Sequence, residues 1–283
     1  MSTFHLAGPA LLFAPVNRPE IIPKAAARAD MVILDLEDGA GTVDRASAYA
    51  TIRESNLDPA RTFVRVVGPQ DEHHEDDLRC VAETPYRSVI IPKVTDPLPD
   101  SPLLDGLDIV PIIELPEALL HTTEIARDER VVGLYWGADD FTIGLGGASS
   151  RQQDDEPYPG RYRAPLDYLR SHTLIHAAAA GKFAIDAVYQ DFTDLEGLYT
   201  EALDSARMGF AAYPCIHPSQ VDTVRRAFQP SAAQLDWARR IAAESRRHPG
   251  AFSLDGEMVD TPLITLAHRL LERSGEATTE GAD

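Results

Sequence analysis

Two acids in this chain stand where apolar runs stop. Glu114 closes Val110-Pro111-Ile112-Ile113, and Asp140 follows Trp136-Gly137-Ala138-Asp139. Two carboxylates with positions left open for water and substrate oxygens suit Mg²⁺, a hard cation that keeps several of its waters. Exposed loop acids are the plain alternative. Arg65 lies inside Phe63-Val64-Arg65-Val66-Val67, where a cation is costly unless it is paired or aimed at a pocket. Its planar fork suits a carboxylate. That partner is either a substrate or Asp35 or Glu37 on a neighbouring strand, and a structural pair can itself orient the guanidinium for substrate. Asp35, Glu37 and Asp38 form the cluster Leu34-Asp35-Leu36-Glu37-Asp38-Gly39. Strand alternation puts Asp35 and Glu37 on one side, and such crowding shifts pKa values; a supporting role is the reading. Lys93 follows Val89-Ile90-Ile91-Pro92. A lysine there invites Schiff-base chemistry, but nearby acids would keep it protonated, so it reads as a point charge for a carboxylate or an acid cluster.

Other candidates carry less. Asp71-Glu72-His73-His74-Glu75-Asp76-Asp77 looks like a metal cluster, yet adjacent histidines cannot both face one site on a helix. It reads as an exposed, acidic helix start. His217, before Pro218, is either a hydrogen-bonded structural histidine or a base. Cys80 and Cys215 are far apart with no metal-ligand spacing, so no disulfide framework is expected and Cys215 reads as a small core residue. The chain holds no GxGxxG, Walker A, HExxH or GxSxG motif.

These residues need elements that bring them together. Eight short apolar runs recur: Leu11–Ala14, Met31–Leu34, Thr62–Val66, Ser88–Ile91, Ile109–Ile113, Val131–Trp136, Phe183–Ile185 and Ala211–Ile216. Several are apolar at nearly every position, as strands buried on both faces are. Helix-like stretches lie between them: Pro23–Ala29, Asp44–Ser55 with Asp44 as N-cap, Pro116–Ala126, Pro165–Ala180 ended by Gly181, and Asp194–Met208 ended by Gly209. The expected fold is α/β, a (β/α)8 TIM barrel with a C-terminal helical lid extension. Strand-end polar residues then share one rim. A doubly wound sheet is the competitor. Gly144–Tyr162 reads as a long loop after the sixth strand. The expected organisation is a catalytic barrel over 1–229 and an extension over 230–283. The extension holds a helix Ala232–Ser245, a break at Pro249-Gly250, a segment Phe252–Val259, a helix Pro262–Glu272 and a frayed tail from Arg273. Phe252, Leu254, Met258 and Val259 need cover, which packing on a neighbouring subunit would supply, so a homo-oligomer is expected.

The chain has 283 residues, 44% of them hydrophobic, and a formal net charge of −19. That charge argues against nucleic-acid partners, which need a basic footprint, and against an anionic membrane surface. An anionic ligand would need a locally basic pocket. No apolar run reaches the roughly 20 residues of a membrane-spanning helix. The start lacks a signal-peptide pattern, and a soluble, cytoplasmic protein is expected.

At these same residues the chain resembles the citrate lyase β-subunit-like family of the aldolase/citrate lyase superfamily, which is related to malyl-CoA and citramalyl-CoA lyases. Leu11-Leu12-Phe13-Ala14-Pro15-Val16-Asn17-Arg18-Pro19-Glu20 looks like its opening motif. Val32–Asp38, Val64-Arg65-Val66, Ile91-Pro92-Lys93-Val94, Pro111–Glu114, Gly137–Asp140, Ala184-Ile185-Asp186, Cys215-Ile216-His217-Pro218 and Gly256–Asp260 follow in family order across nearly the whole chain. Val16, Asp139, Val67 and Tyr213-Pro214 depart from the family pattern. The resemblance implies the barrel and lid, Mg²⁺ on Glu114 and Asp140, and a CoA-thioester substrate. It implies that Arg65 grips the carboxylate of a 2-oxo acid, and that Asp260 in the lid acts as acid/base at a neighbouring subunit's site, in a homotrimer or a multiple of it. Substrate binding then falls to Arg65, Glu114, Glu37 and Lys93, with Arg18, and Arg45 or Lys24, drawing in CoA phosphates. The implied reaction is reversible Claisen-type cleavage of a 3-hydroxyacyl-CoA. An aldolase on free 2-oxo acids, a thioesterase on malyl-CoA-like substrates and a non-catalytic subunit are the alternatives.

Overall fold

The structure of the protein, a computed structural model, describes residues 4–41, 44–248 and 250–276. Pro249 of the expected break, residues 1–3 of the start and residues 277–283 of the tail lie outside the described residues. The chain divides into two compact units, Met1–Arg225 and Arg226–Asp283.

The first unit is built on eight parallel strands: β1 (Ala10–Pro15), β2 (Met31–Asp35), β3 (Thr62–Arg65), β4 (Ser88–Ile91), β5 (Asp108–Ile113), β6 (Gly133–Trp136), β7 (Phe183–Ile185) and β8 (Tyr213–Cys215). Neighbours in sequence are neighbours in the sheet from β1 to β7, and β8 returns to pair with β1. Between β7 and β8, Asp186 N–H donates to the Ala212 carbonyl at 3.1 Å and Ala211 N–H to the Ala184 carbonyl at 2.9 Å. That closure makes a barrel and excludes the doubly wound alternative, which has two open edges.

Around the strands lie α1 (Ile22–Arg28), α2 (Arg45–Glu54), α3 (His74–Ala82), α4 (Ala118–Arg127), α5 (Ala138–Gly144), α6 (Ala164–Ala179), α7 (Leu195–Met208) and α8 (Val221–Phe228). Their ends obey local chemistry. Asp44 caps α2 by accepting from Ser47 N–H at 2.9 Å, and Asp194 caps α7 by accepting from Gly197 N–H at 2.9 Å. Gly209 ends α7 at φ +114°, a conformation that an L side chain resists.

Register decides what reaches the rim. Alternate strand residues gather in one buried cluster that includes Ile33, Phe63, Ile90, Val110, Ile112 and Ile185. Side chains two residues apart share a face. Asp35 therefore stands above Ile33, Arg65 above Phe63 and Glu114 above Ile112, all on the side of that cluster. Asp35 and Arg65 are also register partners across β2 and β3.

The second unit contains α9 (Ala232–Ser245), strands β9 (Phe252–Leu254) and β10 (Glu257–Val259), and α10 (Thr261–Arg273). Ser231 and Gln234 form a reciprocal capping box on α9. The segment Phe252–Val259, expected without assigned structure, is an antiparallel hairpin. Its two-residue loop is Asp255-Gly256, with φ +54° and +88°. Asp-Gly in that position is a strong local hairpin signal. The expectation that Phe252 and Val259 need a neighbour's cover is corrected here. Both are buried in a cluster with Ala238, Ile241, Ala267 and Leu271, supplied by α9 and α10 of the same unit. Met258, on the opposite face, remains 69% exposed. Among the described residues no helix is long and apolar enough to cross a membrane.

Candidate functional site

A cavity of about 410 Å³ opens at the C-terminal rim of the barrel, lined among others by Asp35, Arg65, Glu114, Asp140, Tyr135 and Gly137. It brings together both expected metal ligands and the expected carboxylate grip. Glu114, the first residue after β5, is only 5% exposed. Its Oε1 accepts the Lys93 backbone N–H at 2.8 Å. No side-chain cation bonds to it among the described residues. Burial, then the charges of Asp140 and Glu37, push its carboxyl up to about 8.

Two backbone features shape this acid's seat. Gly137 follows β6 directly, and a Cβ there would overlap the Glu114 carboxylate. Lys93 adopts φ +54°, a left-handed conformation that costs on the order of 1 kcal/mol or more for a residue with a side chain. That conformation belongs to the residue whose N–H meets Glu114.

On the opposite flank, Asp35 is fully buried and holds Arg65 with both oxygens, Oδ1 to Nε at 2.6 Å and Oδ2 to Nη2 at 2.7 Å. It also accepts the N–H groups of Glu37 at 3.1 Å and Gly39 at 2.9 Å. Arg65 Nη1 lies 2.9 Å from Glu37 Oε2. That contact lacks hydrogen-bond alignment, so the buried Glu37 Oε2 has no hydrogen-bond partner among the described residues. The Phe13 ring packs 4.7 Å from the guanidinium carbon, within cation–π range. Lys93 Nζ pairs with Glu37 and lies 3.5 Å from Asp38. Burial opposes its charge, yet Glu37 holds it above its ordinary value. It is therefore a cation, not a free amine for Schiff-base chemistry. Arg65 is a structural pair with Asp35 and also lines the cavity. Glu37 and Lys93 line an adjoining cavity of about 570 Å³.

The donor set is oxygen only. Among the described residues no group of three or more His, Cys, Asp or Glu converges into a ready-made cage. An uncompensated buried carboxylate beside a second one fits a cation that brings its own water and substrate oxygens, as Mg²⁺ does.

Other expected residues fall elsewhere. Arg18 is exposed, 3.4 Å from Glu20, and is outside the lining of the 410 Å³ cavity. Asp260 stands at the N-cap of α10 without a side-chain cap bond. Arg45 is engaged at 3.1 Å by Asp77, so its charge is already compensated. His217 is a cap: its Nδ1 accepts from Ser219 N–H at 3.2 Å, and its ring stacks on Phe192. The stretch Asp71–Asp77 needs one correction. Glu72, Glu75 and Asp76 are exposed, but Asp77 is fully buried, because it lies on the face of α3 that packs inward beside Leu78 and Val81.

Sequence reading named Asp186 without giving it a role and did not single out Arg151. Buried Asp186, after β7, accepts Trp136 Nε1–H at 2.6 Å and the Arg170 guanidinium, with Nη2 at 2.7 Å. Arg151, in the long loop after α5, pairs with Glu201 of α7 at 2.7 Å and lies over the Tyr162 ring at 3.9 Å. The strand-end position was a signal for Asp186. The loop contacts had none.

Comparison with known proteins places the chain in a family. Residues 10–98 and 105–218 match the HpcH/HpaI aldolase/citrate lyase family. A citrate lyase subunit beta-like protein of Mycobacterium tuberculosis is 43% identical over 97% of this chain and 98% of its own length. The mitochondrial citramalyl-CoA lyase of Homo sapiens is 28% identical over 91% of this chain and 83% of its own. A (3S)-malyl-CoA thioesterase of Cereibacter sphaeroides is 31% identical over 95% and 96%. The crystal structure of protein CitE from Mycobacterium tuberculosis in complex with magnesium, acetoacetate and coenzyme A superposes with a TM-score of 0.86 at 42% identity, covering 95% of this chain and 99% of that one.

Proposed function

The chain belongs to the HpcH/HpaI aldolase/citrate lyase family, and from that premise we propose that it is a Mg²⁺-dependent carbon–carbon lyase. Its substrate would be a 3-hydroxyacyl-CoA of the citryl-, malyl- or citramalyl-CoA type, cleaved reversibly to a 2-oxo acid and an acyl-CoA. The observation that carries the reading is the buried Glu114 carboxylate, which faces a cavity shared with Asp140 and Arg65 and has no cationic side chain bonded to it. The complex of the Mycobacterium tuberculosis relative with magnesium, acetoacetate and coenzyme A supports the same ligand classes here.

Glu114 and Asp140 would hold Mg²⁺, which when bound supplies Lewis-acid polarisation of the oxygen on the reacting carbon, a contribution of several kcal/mol. Arg65 orients the substrate carboxylate. Asp35 occupies its Nε–Nη2 edge, so the carboxylate meets the Nη1–Nη2 edge beside Glu37. That fixed fork supplies positioning. Lys93 keeps Glu37 compensated. In cleavage the bond between the thioester α-carbon and the hydroxyl-bearing carbon breaks, the hydroxyl oxygen forms the new C=O bond, and its proton passes to water, so that overall one proton moves from that oxygen to the α-carbon. The electron pair passes to the α-carbon, where Asp260 delivers a proton. Arg18, exposed near the rim end of β1, attracts the CoA phosphates.

The reading includes a homo-oligomer, a trimer or a multiple of it, in which Asp260 serves a neighbouring subunit's site. The exposed Met258 and the uncapped Asp260 side chain support it. The likeness to a malyl-CoA thioesterase favours a second reading, in which thioester hydrolysis follows. The test is incubation with malyl-, citramalyl- and citryl-CoA, with and without Mg²⁺, reading 2-oxo acid, acyl-CoA and free CoA thiol. Mg²⁺-dependent release of a 2-oxo acid with an equal amount of acyl-CoA is expected. Free thiol in its place moves the assignment to a thioesterase, and turnover of none of the three rejects the substrate class.

A further inference from the structure

Asp77 touches none of the side chains that face the cavity, yet it closes a circuit through their backbone. Its Oδ2 accepts the Val67 N–H at 3.1 Å. Its Oδ1 accepts from Tyr49 OH at 2.8 Å and from Arg45 Nη1 at 3.1 Å. The same Arg45 Nη1 donates to the Leu36 carbonyl at 3.1 Å. Leu36 N–H in turn donates to the Arg65 carbonyl at 2.9 Å. His74 Nδ1 bonds the Val67 carbonyl at 2.7 Å. Leu36 lies between Asp35 and Glu37, and Val67 lies two residues past Arg65.

We propose that Asp77 is a positioning residue that locks the loops leaving β2 and β3 to each other, and so fixes Glu37 and Arg65 relative to the cavity. The proposal rests on the reading of that cavity as a 2-oxo-acid site. A fully buried carboxylate is expensive unless its lone pairs are satisfied. Here two of its three partners tie it to the loops, Val67 N–H directly and Arg45 through the Leu36 carbonyl, while Tyr49 anchors it to α2. An acid serving only to neutralise Arg45 has no need to bind the Val67 backbone. Groups that act on substrate must hold their geometry to about half an ångström, and loops alone do not give that. The circuit supplies it without occupying the cavity.

The test uses the full-length protein and Asp77→Asn, which keeps an acceptor for Val67 but loses the charge that holds Arg45. Calorimetry reads Mg²⁺ alone, then pyruvate in the presence of Mg²⁺. Pyruvate affinity should fall on the order of ten- to a hundredfold, as expected when a positioned group drifts by about an ångström. Affinity for Mg²⁺ alone should change by less than about threefold, because Glu114 directly follows β5 and Asp140 lies in α5, outside the two loops that Asp77 ties together. Combined with Glu37→Gln, the loss should be less than the product of the two single losses, the mark of residues acting through one element. Hydrogen exchange should quicken at residues 35–41 and 65–68 and not at 112–116 or 135–140. Tyr49→Phe, which removes one hydrogen bond and keeps the charge, should show the same selectivity at about two- to fivefold, and it carries the test if Asp77→Asn does not fold. Unchanged exchange in 35–41 and 65–68, or pyruvate affinity within twofold of the parent in both variants, overturns the proposal. If the unmodified protein binds no pyruvate with Mg²⁺, the oxo-acid reading fails instead, and the exchange measurement still decides the circuit.

Discussion

Glu114→Gln is the most informative single change, because the structure sets its sign as well as its size. Glu114 is held at about 8 against an ordinary value of 4.5. A carboxyl raised in the folded state lends stability below 4.5, where it is protonated in both states, and that contribution is lost as pH rises through 8. The difference of three and a half units corresponds to about 5 kcal/mol, at roughly 1.36 kcal/mol per unit. Without metal the parent protein should therefore lose stability between about pH 5 and 8.5. Glu114→Gln should lack that part of the slope and be the more stable protein at pH 8.5. For a chain of this size a kcal/mol moves Tm by about 2 °C, so the gap should approach 10 °C. Mg²⁺ requires the ionised acid, so in the parent it should raise Tm most at high pH, and its affinity should climb up to about tenfold per unit until pH 8. The assay is thermal unfolding across pH, with EDTA and with Mg²⁺, on both proteins. If the two proteins share one pH slope in EDTA, the burial argument fails. If Mg²⁺ protects Glu114→Gln as well as the parent, Glu114 is not a ligand.

Three further outcomes follow from the same geometry. Arg65→Lys cannot reproduce the two-point contact with Asp35 or a carboxylate fork, so turnover should fall about a hundredfold or more; a loss confined to Tm would leave Arg65 only a structural role. Gly137→Ala places a Cβ against the Glu114 carboxylate and should weaken Mg²⁺ binding tenfold or more, at a stability cost of about 1–3 kcal/mol; unaltered calorimetric affinity would show that the seat of Glu114 is not tight. Mixed oligomers of Asp260→Ala and Glu114→Gln subunits, each inactive alone, should recover part of the activity. No recovery in verified mixed species refutes the shared site, and full activity of Asp260→Ala alone removes that residue from the chemistry.

Much of the molecule was legible along the chain because its determinants are local. Apolar runs of strand length, the acid or cation that ends them, and caps such as Asp44, Asp194 and Gly209 depend on neighbours a few residues away. They sufficed for the barrel, for the convergence of Glu114, Asp140 and Arg65 on one cavity, and for the family. The Asp255-Gly256 turn was equally local and simply went unread.

What stayed hidden depends on which distant groups meet. Asp77 sits in an acidic stretch and looked exposed; only the packing of α3 buries it and gives it Arg45, Tyr49 and Val67 as partners. That pairing also uses up the Arg45 charge that had been free to serve CoA. Phe252 and Val259 looked in need of a neighbour because a hairpin's apolar face cannot be matched to α9 and α10 from sequence alone. The value of about 8 at Glu114 arises from burial and from acids 26 residues onward and 77 residues back, whose distances exist only once the barrel closes. Sequence determined which groups are present and on which strand ends they stand; closure of the sheet determined which of them share an uncompensated charge, because electrostatic and steric terms act through space and not along the chain.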